Sequence, residues 1–176
     1  LHADTLIVLL SSEDGSETYS VSTLKETALR FGHGIADQLG FKRSEVLLLV
    51  CANSIHVVPA ILGTLHAGGI VSPVNPAYGV DELLYQLRDS GATVIVTQQP
   101  FLPAVLGAAQ RAGIAQENII LLPDFLQPVS LFSPIGKITM FSDVVSTSTV
   151  QDTKGCVDAT NDTAFLVYTS GTSVET

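Results

Sequence analysis

Three observations in the sequence predict an α/β fold, a mostly parallel sheet with flanking helices. Short β-branched or leucine-rich runs recur at 46–51, 70–72, 93–97, 118–122 and 163–168. Longer stretches with one apolar face lie between most of them, and strands alternating with helices pair in one direction through helical crossovers. Glycines stand where the amphipathic stretches stop, at Gly40, Gly91 and Gly113, the residue type that closes a last helical turn in the left-handed conformation.

Each element can be justified in order. From Tyr19 on, Leu24, Ala28, Phe31, Ile35 and Leu39 are spaced by four, three, four and four residues and trace one helical face, with Ser20 or Ser22 as cap and Gly40 as stop. "VLLLVC" at 46–51 is apolar without alternation, as expected of a strand buried on both faces. Asn53 or Ser54 can cap a second helix through Ile55, Val58, Leu62 and Leu65, which Ala67-Gly68-Gly69 ends. Pro59 constrains it: either the helix kinks there, or Pro59 sits in the first turn and the cap moves toward His56. "IVSPVNP" is a short strand, Ile70 to Ser72, entering a proline-punctuated loop.

Asp81 begins a third helix with Leu83, Leu84 and Leu87, stopping near Gly91, and "TVIVT" at 93–97 is a β-branched strand. Pro103 to Ala112 makes a helix ended by Gly113, and "NIILL" at 118–122 another strand. Between about 123 and 160, Pro128, Pro134, Gly136 and "STSTVQDTKG" interrupt the pattern and predict a surface excursion. A final strand, Thr163 to Tyr168, follows.

Composition narrows the function. A net charge of −9 repels nucleic acid. The run at 46–52 is far shorter than the ~20 residues of a membrane helix. "LIVLL" at 6–10 has no basic residues before it and no small-residue cleavage site after it, so no signal peptide is expected, although a chain opening on Leu1 leaves original targeting ends out of view. Cys51 and Cys156 make no disulfide framework and suit a reducing compartment. His2, His33, His56 and His66 are not at ligand spacing, so no metal site is expected. Gly32-His33-Gly34 opens like G-x-G-x-x-G, but Asp37 takes the sixth place inside a helical pattern. With 46% hydrophobic and 14% charged residues, the chain is apolar enough that some of its surface is expected to need a partner.

The chain closes on "FLVYTSGTSVET", an apolar run breaking into small hydroxyl residues around a glycine. Such a loop after a strand offers backbone N–H groups and hydroxyls to an anion, phosphate above all. "LVYTSGTS", preceded by "AGGIVSPVNPAYGVDELLYQLRDSGATVIVT" and by "TYSVSTLKETALRFGHGIADQLGF", resembles the amino-terminal region of the adenylate-forming (AMP-binding) enzymes, of the coumarate–CoA ligase and acyl-CoA synthetase type. The resemblance implies that residues 1–176 form a partial amino-terminal AMP-binding domain, the first subdomain of such an enzyme, with a partial phosphate loop at 168–176.

In that family the loop reads Y-[ST]-S-G-[ST]-T-G-x-P-K-G and wraps the triphosphate of ATP. Thr169, Ser170, Gly171 and Thr172 match it after Tyr168, and Ser173 stands for the family threonine. Val174 then replaces the second glycine, and no lysine follows Glu175 and Thr176. The resemblance implies ATP, Mg2+ and coenzyme A as cofactors, a small carboxylic acid as substrate, the missing remainder of the adenylation domain as partner, and a cytoplasmic or peroxisomal location. It places no catalytic residue and no metal ligand in this chain, which alone is expected to be inactive. The alternative, from another class, is a non-catalytic truncated module or pseudoenzyme that binds a protein partner.

Overall fold

The computed structural model describes residues 8–11, 17–123, 137–147, 157, 158 and 160–168. Strands β1 (Val8–Ser11) and β2 (Thr18–Ser20) form a small antiparallel pair ahead of α1 (Val21–Leu39). Next come β3 (Val46–Val50), α2 (Val57–His66), β4 (Ile70–Pro73), α3 (Val80–Ser90), β5 (Ala92–Thr97), α4 (Leu102–Ala112), β6 (Ile119–Leu121), β7 (Thr139–Met140) and α5 (Phe141–Thr147). The main sheet has the order β4-β3-β5-β6-β7 with every pair parallel, the α/β architecture expected.

The helix ends fall where the side chains direct them. Ser20 caps α1: its hydroxyl accepts from the Thr23 N–H at 3.2 Å, and the Thr23 hydroxyl accepts from the Ser20 N–H at 2.9 Å, so two orphan donors are satisfied reciprocally. Gly40, Gly91 and Gly113 close α1, α3 and α4 at φ 66°, 67° and 78°. Helix α2 settles the Pro59 alternatives: His56 is the residue before its first turn and Pro59 lies within that turn, where its missing N–H costs nothing. Ser54, expected as a cap, instead accepts from the His56 N–H at 3.0 Å.

Alternate residues of β3 feed two cores. Val46, Leu48 and Val50 pack with Ile95 against Leu83, Leu84, Leu87, Val105 and Ala109 of α3 and α4. Leu47 and Leu49 pack with Val94, Val96 and Ile120 against Phe31, Ile35, Ala60, Phe141 and Val144 of α1, α2 and α5. Both faces of this interior strand are therefore covered, which is why its sequence shows no polar alternation. The glycine pair in "GHG" serves helix packing: a Cβ on Gly32 would come within 2.5 Å of the Gly63 carbonyl of α2, and one on Gly34 would collide with Val144 of α5.

Two expectations change. The excursion expected from 123 to 160 contains β7 and α5, which extend the sheet past β6 and cover one face of it; residues 124–136 and 148–156 lie outside the described residues. The strand expected at Thr163–Tyr168 is a single parallel bridge between Phe165 and Val71 of β4. Its two bonds run from the Val71 N–H to the Ala164 carbonyl and from the Leu166 N–H to the Val71 carbonyl, each 3.0 Å. The next rung of that ladder needs an N–H at position 73, and Pro73 has none.

Candidate functional site

In an open parallel sheet the binding crevice lies outside the carboxyl ends of the strands. At that end, the fully buried Gln98 follows β5, and its Oε1 accepts from the Ala52 N–H at 2.8 Å, tying the loop after β3 to the strand beside it. Thr97 adds a second tie, its hydroxyl donating to the Val50 carbonyl at 3.0 Å. His56 sits in the same loop, its Nδ1 3.1 Å from the Tyr19 hydroxyl and its Nε2 2.8 Å from Glu17 Oε2. The β1–β2 pair is thereby fastened to the start of α2. No local spacing in the sequence announces this cluster, because its members are 37 and 39 residues apart.

The segment 163–168 runs parallel to β4, so it brings Tyr168 toward those carboxyl ends. Arg43 grips its approach, with Nη2 2.8 and 2.7 Å from the two carboxylate oxygens of Asp162. The Asp158 carboxyl, which closes the turn just before, is held below the usual carboxylate range by the hydrogen bond from the Asn161 side chain and then by the Thr160 N–H. Beyond the bridge, the Ser72 hydroxyl donates to the Leu166 carbonyl at 3.1 Å, and Gln86 Nε2 donates to the Ser72 hydroxyl at 3.1 Å and to the Pro73 carbonyl at 3.2 Å. The Tyr168 hydroxyl donates to Asp89 Oδ2 at 2.5 Å. Desolvation first, then that hydrogen bond and the Asp89 charge, push the phenol up to about 12.

The expected phosphate-binding residues, Thr169, Ser170, Gly171, Thr172 and Ser173, lie outside the described residues. What the described structure supplies is their root: Tyr168, held on α3 at the edge of the sheet. On the α3–α4 surface Tyr85, Arg88, Asp89 and Arg111 line an open groove with Asp81 and Leu84. Both arginines there are engaged by protein acceptors, Arg111 by Asp81 at 2.6 Å and Arg88 by the Arg111 carbonyl at 3.0 Å.

Among the described residues no group of three or more His, Cys, Asp or Glu side chains could hold a metal ion. The fold does bring His33 of α1 to His66 of α2, ring centroids 5.9 Å apart, a contact that spacing along the chain did not reveal. No helix among the described residues is long and apolar enough to cross a membrane.

Residues 2–173 match the family of the AMP-binding enzyme. Acyl-CoA synthetase 7 of Caenorhabditis elegans is 27% identical over 168 residues, 95% of this chain and 29% of that protein. N-(5-amino-5-carboxypentanoyl)-L-cysteinyl-D-valine synthase of Penicillium rubens is 28% identical over 162 residues, 92% of this chain and 4% of that protein. A benzoate CoA ligase from Burkholderia xenovorans superposes with a TM-score of 0.70 at 23% identity, over 87% of this chain and 27% of its own, a likeness of fold. The chain thus spans less than a third of each of these relatives. With a family match over nearly its whole length and the parallel, helix-covered sheet of its structural neighbours, the chain belongs to the AMP-binding enzyme family.

Proposed function

We propose that this chain supplies the amino-terminal part of an ATP-dependent acyl-CoA synthetase. In that reaction a carboxylate oxygen of a small acid attacks the α-phosphate of Mg·ATP, the bond to pyrophosphate breaks, and an acyl-adenylate forms. The coenzyme A thiol then attacks the acyl carbon, loses its proton and displaces AMP, leaving a thioester. Support comes chiefly from the family match across residues 2–173, which includes Tyr168 and the whole Ser/Thr/Gly segment after it.

In this reading Thr169, Ser170, Gly171, Thr172 and Ser173 hold the β- and γ-phosphates through hydroxyls and backbone N–H groups. Mg2+ binds proteins through one or two carboxylates together with substrate phosphates, and the described residues offer no dedicated cluster for it; it enters with the nucleotide and is assigned no residue here. Residues 169–176 contain no lysine or arginine to balance phosphate charge. The chain by itself is therefore proposed not to turn over.

The test is acid-dependent exchange of pyrophosphate into ATP, run with a panel of aromatic and fatty acids. It uses this chain alone and this chain joined to the remaining parts of an adenylation domain from a relative. The 176-residue chain is expected to be silent and the extended protein active. Thr172→Ala in the extended protein is expected to slow exchange about 10²-fold, the cost of one lost donor to a developing charge. Robust exchange by the short chain would overturn the partial-unit reading, and an unaffected Thr172→Ala would remove that residue from the phosphates. A second reading, a non-catalytic module that binds a protein partner, is favoured by the exposed Phe165 and Val167 at the sheet edge; it predicts no exchange from either protein.

A further inference from the structure

We infer that helix α3 is the clamp that positions the root of the phosphate loop, with Gln86 acting through Ser72 and Asp89 acting on Tyr168 as positioning residues. The inference rests on the reading that the residues after Tyr168 hold phosphate. Its physical basis is an interrupted ladder. Past Phe165 the next ladder bond, from an N–H at position 73 to the Leu166 carbonyl, cannot form, because Pro73 brings no N–H. Left there, the Leu166 carbonyl would have no partner from β4 and the chain beyond it nothing to fix its course.

Two side-chain bonds take the place of the lost rung. Ser72 is fully buried and Gln86 nearly so, and a buried hydroxyl or amide is costly unless its hydrogen bonds are made. Here they are made in one direction only. The Gln86 amide donates to the Ser72 oxygen, which leaves the Ser72 proton for the Leu166 carbonyl. Gln86 also holds the Pro73 carbonyl, so one side chain of α3 secures both β4 and the segment beside it. Three residues further along the same helix, Asp89 receives the Tyr168 hydroxyl. Positions three apart share a helix face, so Gln86, which orients the Ser72 hydroxyl, and Asp89, which receives Tyr168, act from one rigid body. Tyr168 is the last residue before the hydroxyl cluster, and a displacement of its backbone would be carried directly into that cluster.

The clamp can be tested without nucleotide, on this chain, by backbone hydrogen exchange in a peptide covering Ala164–Tyr168 with the β3 and β5 peptides as internal controls. Tyr168→Phe and Asp89→Ala should each speed exchange in that peptide about tenfold, the loss of one charge-assisted hydrogen bond, with the controls unchanged. Asp89→Asn, which keeps an acceptor oxygen, should restore slow exchange. The double variant Tyr168→Phe/Asp89→Ala should be no faster than either single one. Exchange that ignores all of these variants, or that the asparagine fails to rescue, overturns the clamp.

A second arm uses the extended protein and pyrophosphate exchange. There Tyr168→Phe should raise the ATP concentration for half-maximal rate about tenfold and leave the maximal rate nearly unchanged, a split that a general loss of fold would not produce. If that protein exchanges nothing even unsubstituted, the phosphate reading fails, while the hydrogen-exchange arm still decides the clamp. If it exchanges and Tyr168→Phe leaves the ATP dependence unmoved, the positioning role is overturned.

Discussion

Strand β3 and the segment 163–168 lie on opposite sides of β4, and the two are held by different physics. On one side β3 pairs with β4 over four registered positions, Val46↔Ile70 to Leu49↔Pro73, and with β5 over five, with both faces buried under helices. On the other side the segment makes one bridge and then depends on Ser72, Gln86 and Asp89. The centre is redundant: losing any one bond leaves a ladder and a core around it. The edge is made of single contacts, each separately removable, so small chemical changes move it while the core stays intact.

The comparison is broken most severely at the centre. Phe31 is fully buried and stacks on Phe141 with ring centroids 5.3 Å apart; Phe31→Ala should cost about 3–5 kcal/mol, read as a fall in the urea midpoint. A smaller loss is expected at the carboxyl end of β5. Gln98→Leu leaves the half-buried Ala52 N–H without its acceptor and should cost about 1–3 kcal/mol, with exchange at Ala52 rising sharply.

At the edge the effect is smaller and depends on pH. The Tyr168 phenol is raised to about 12 in the folded chain against about 10 when unfolded, so folding favours its protonated form. Its contribution is fully present below pH 10 and is lost as pH rises through 12. Because the side chain is partly exposed, the contribution is a fraction of the ~2.7 kcal/mol that two pKa units would represent. The stability difference between the wild-type chain and Tyr168→Phe should therefore shrink between pH 9 and 12, in urea titrations at matched ionic strength. Smallest of all is the surface pair Arg30–Glu26, 2.8 Å apart on α1 and exposed; Arg30→Ala should change stability by no more than about 0.5 kcal/mol.

Much of the centre was legible in the sequence because local chemistry specifies it. A left-handed glycine ends each of α1, α3 and α4, and the unbroken "VLLLV" run announces a strand covered on both faces. Strand β7 and helix α5 were not legible: two residues and one short helix sit inside a stretch whose prolines dominate the local signal, and the pairing of β7 with β6 is set by non-local contact. "FLVY" reads as a strand by composition, and what limits it is a proline some 90 residues earlier in the neighbouring chain segment. The hydroxyl-and-glycine loop was visible as a motif. Its support was not, because Ser72 and Leu166 are 94 residues apart and Asp89 and Tyr168 are 79 apart; no spacing rule connects such pairs.

The most direct test of this account is residue-resolved hydrogen exchange of the unsubstituted chain through a urea series below its unfolding transition. Amides of Leu47, Leu49 and Val96 should exchange only by global unfolding, with the full denaturant dependence of the chain. The Leu166 amide, bonded to the Val71 carbonyl, should exchange faster and with almost no denaturant dependence, through local opening of the edge, and Ser72→Ala should accelerate it alone. Leu166 exchanging as slowly as β3, with the same denaturant slope and no response to Ser72→Ala, would show that the segment is an ordinary strand of the sheet and would contradict the account.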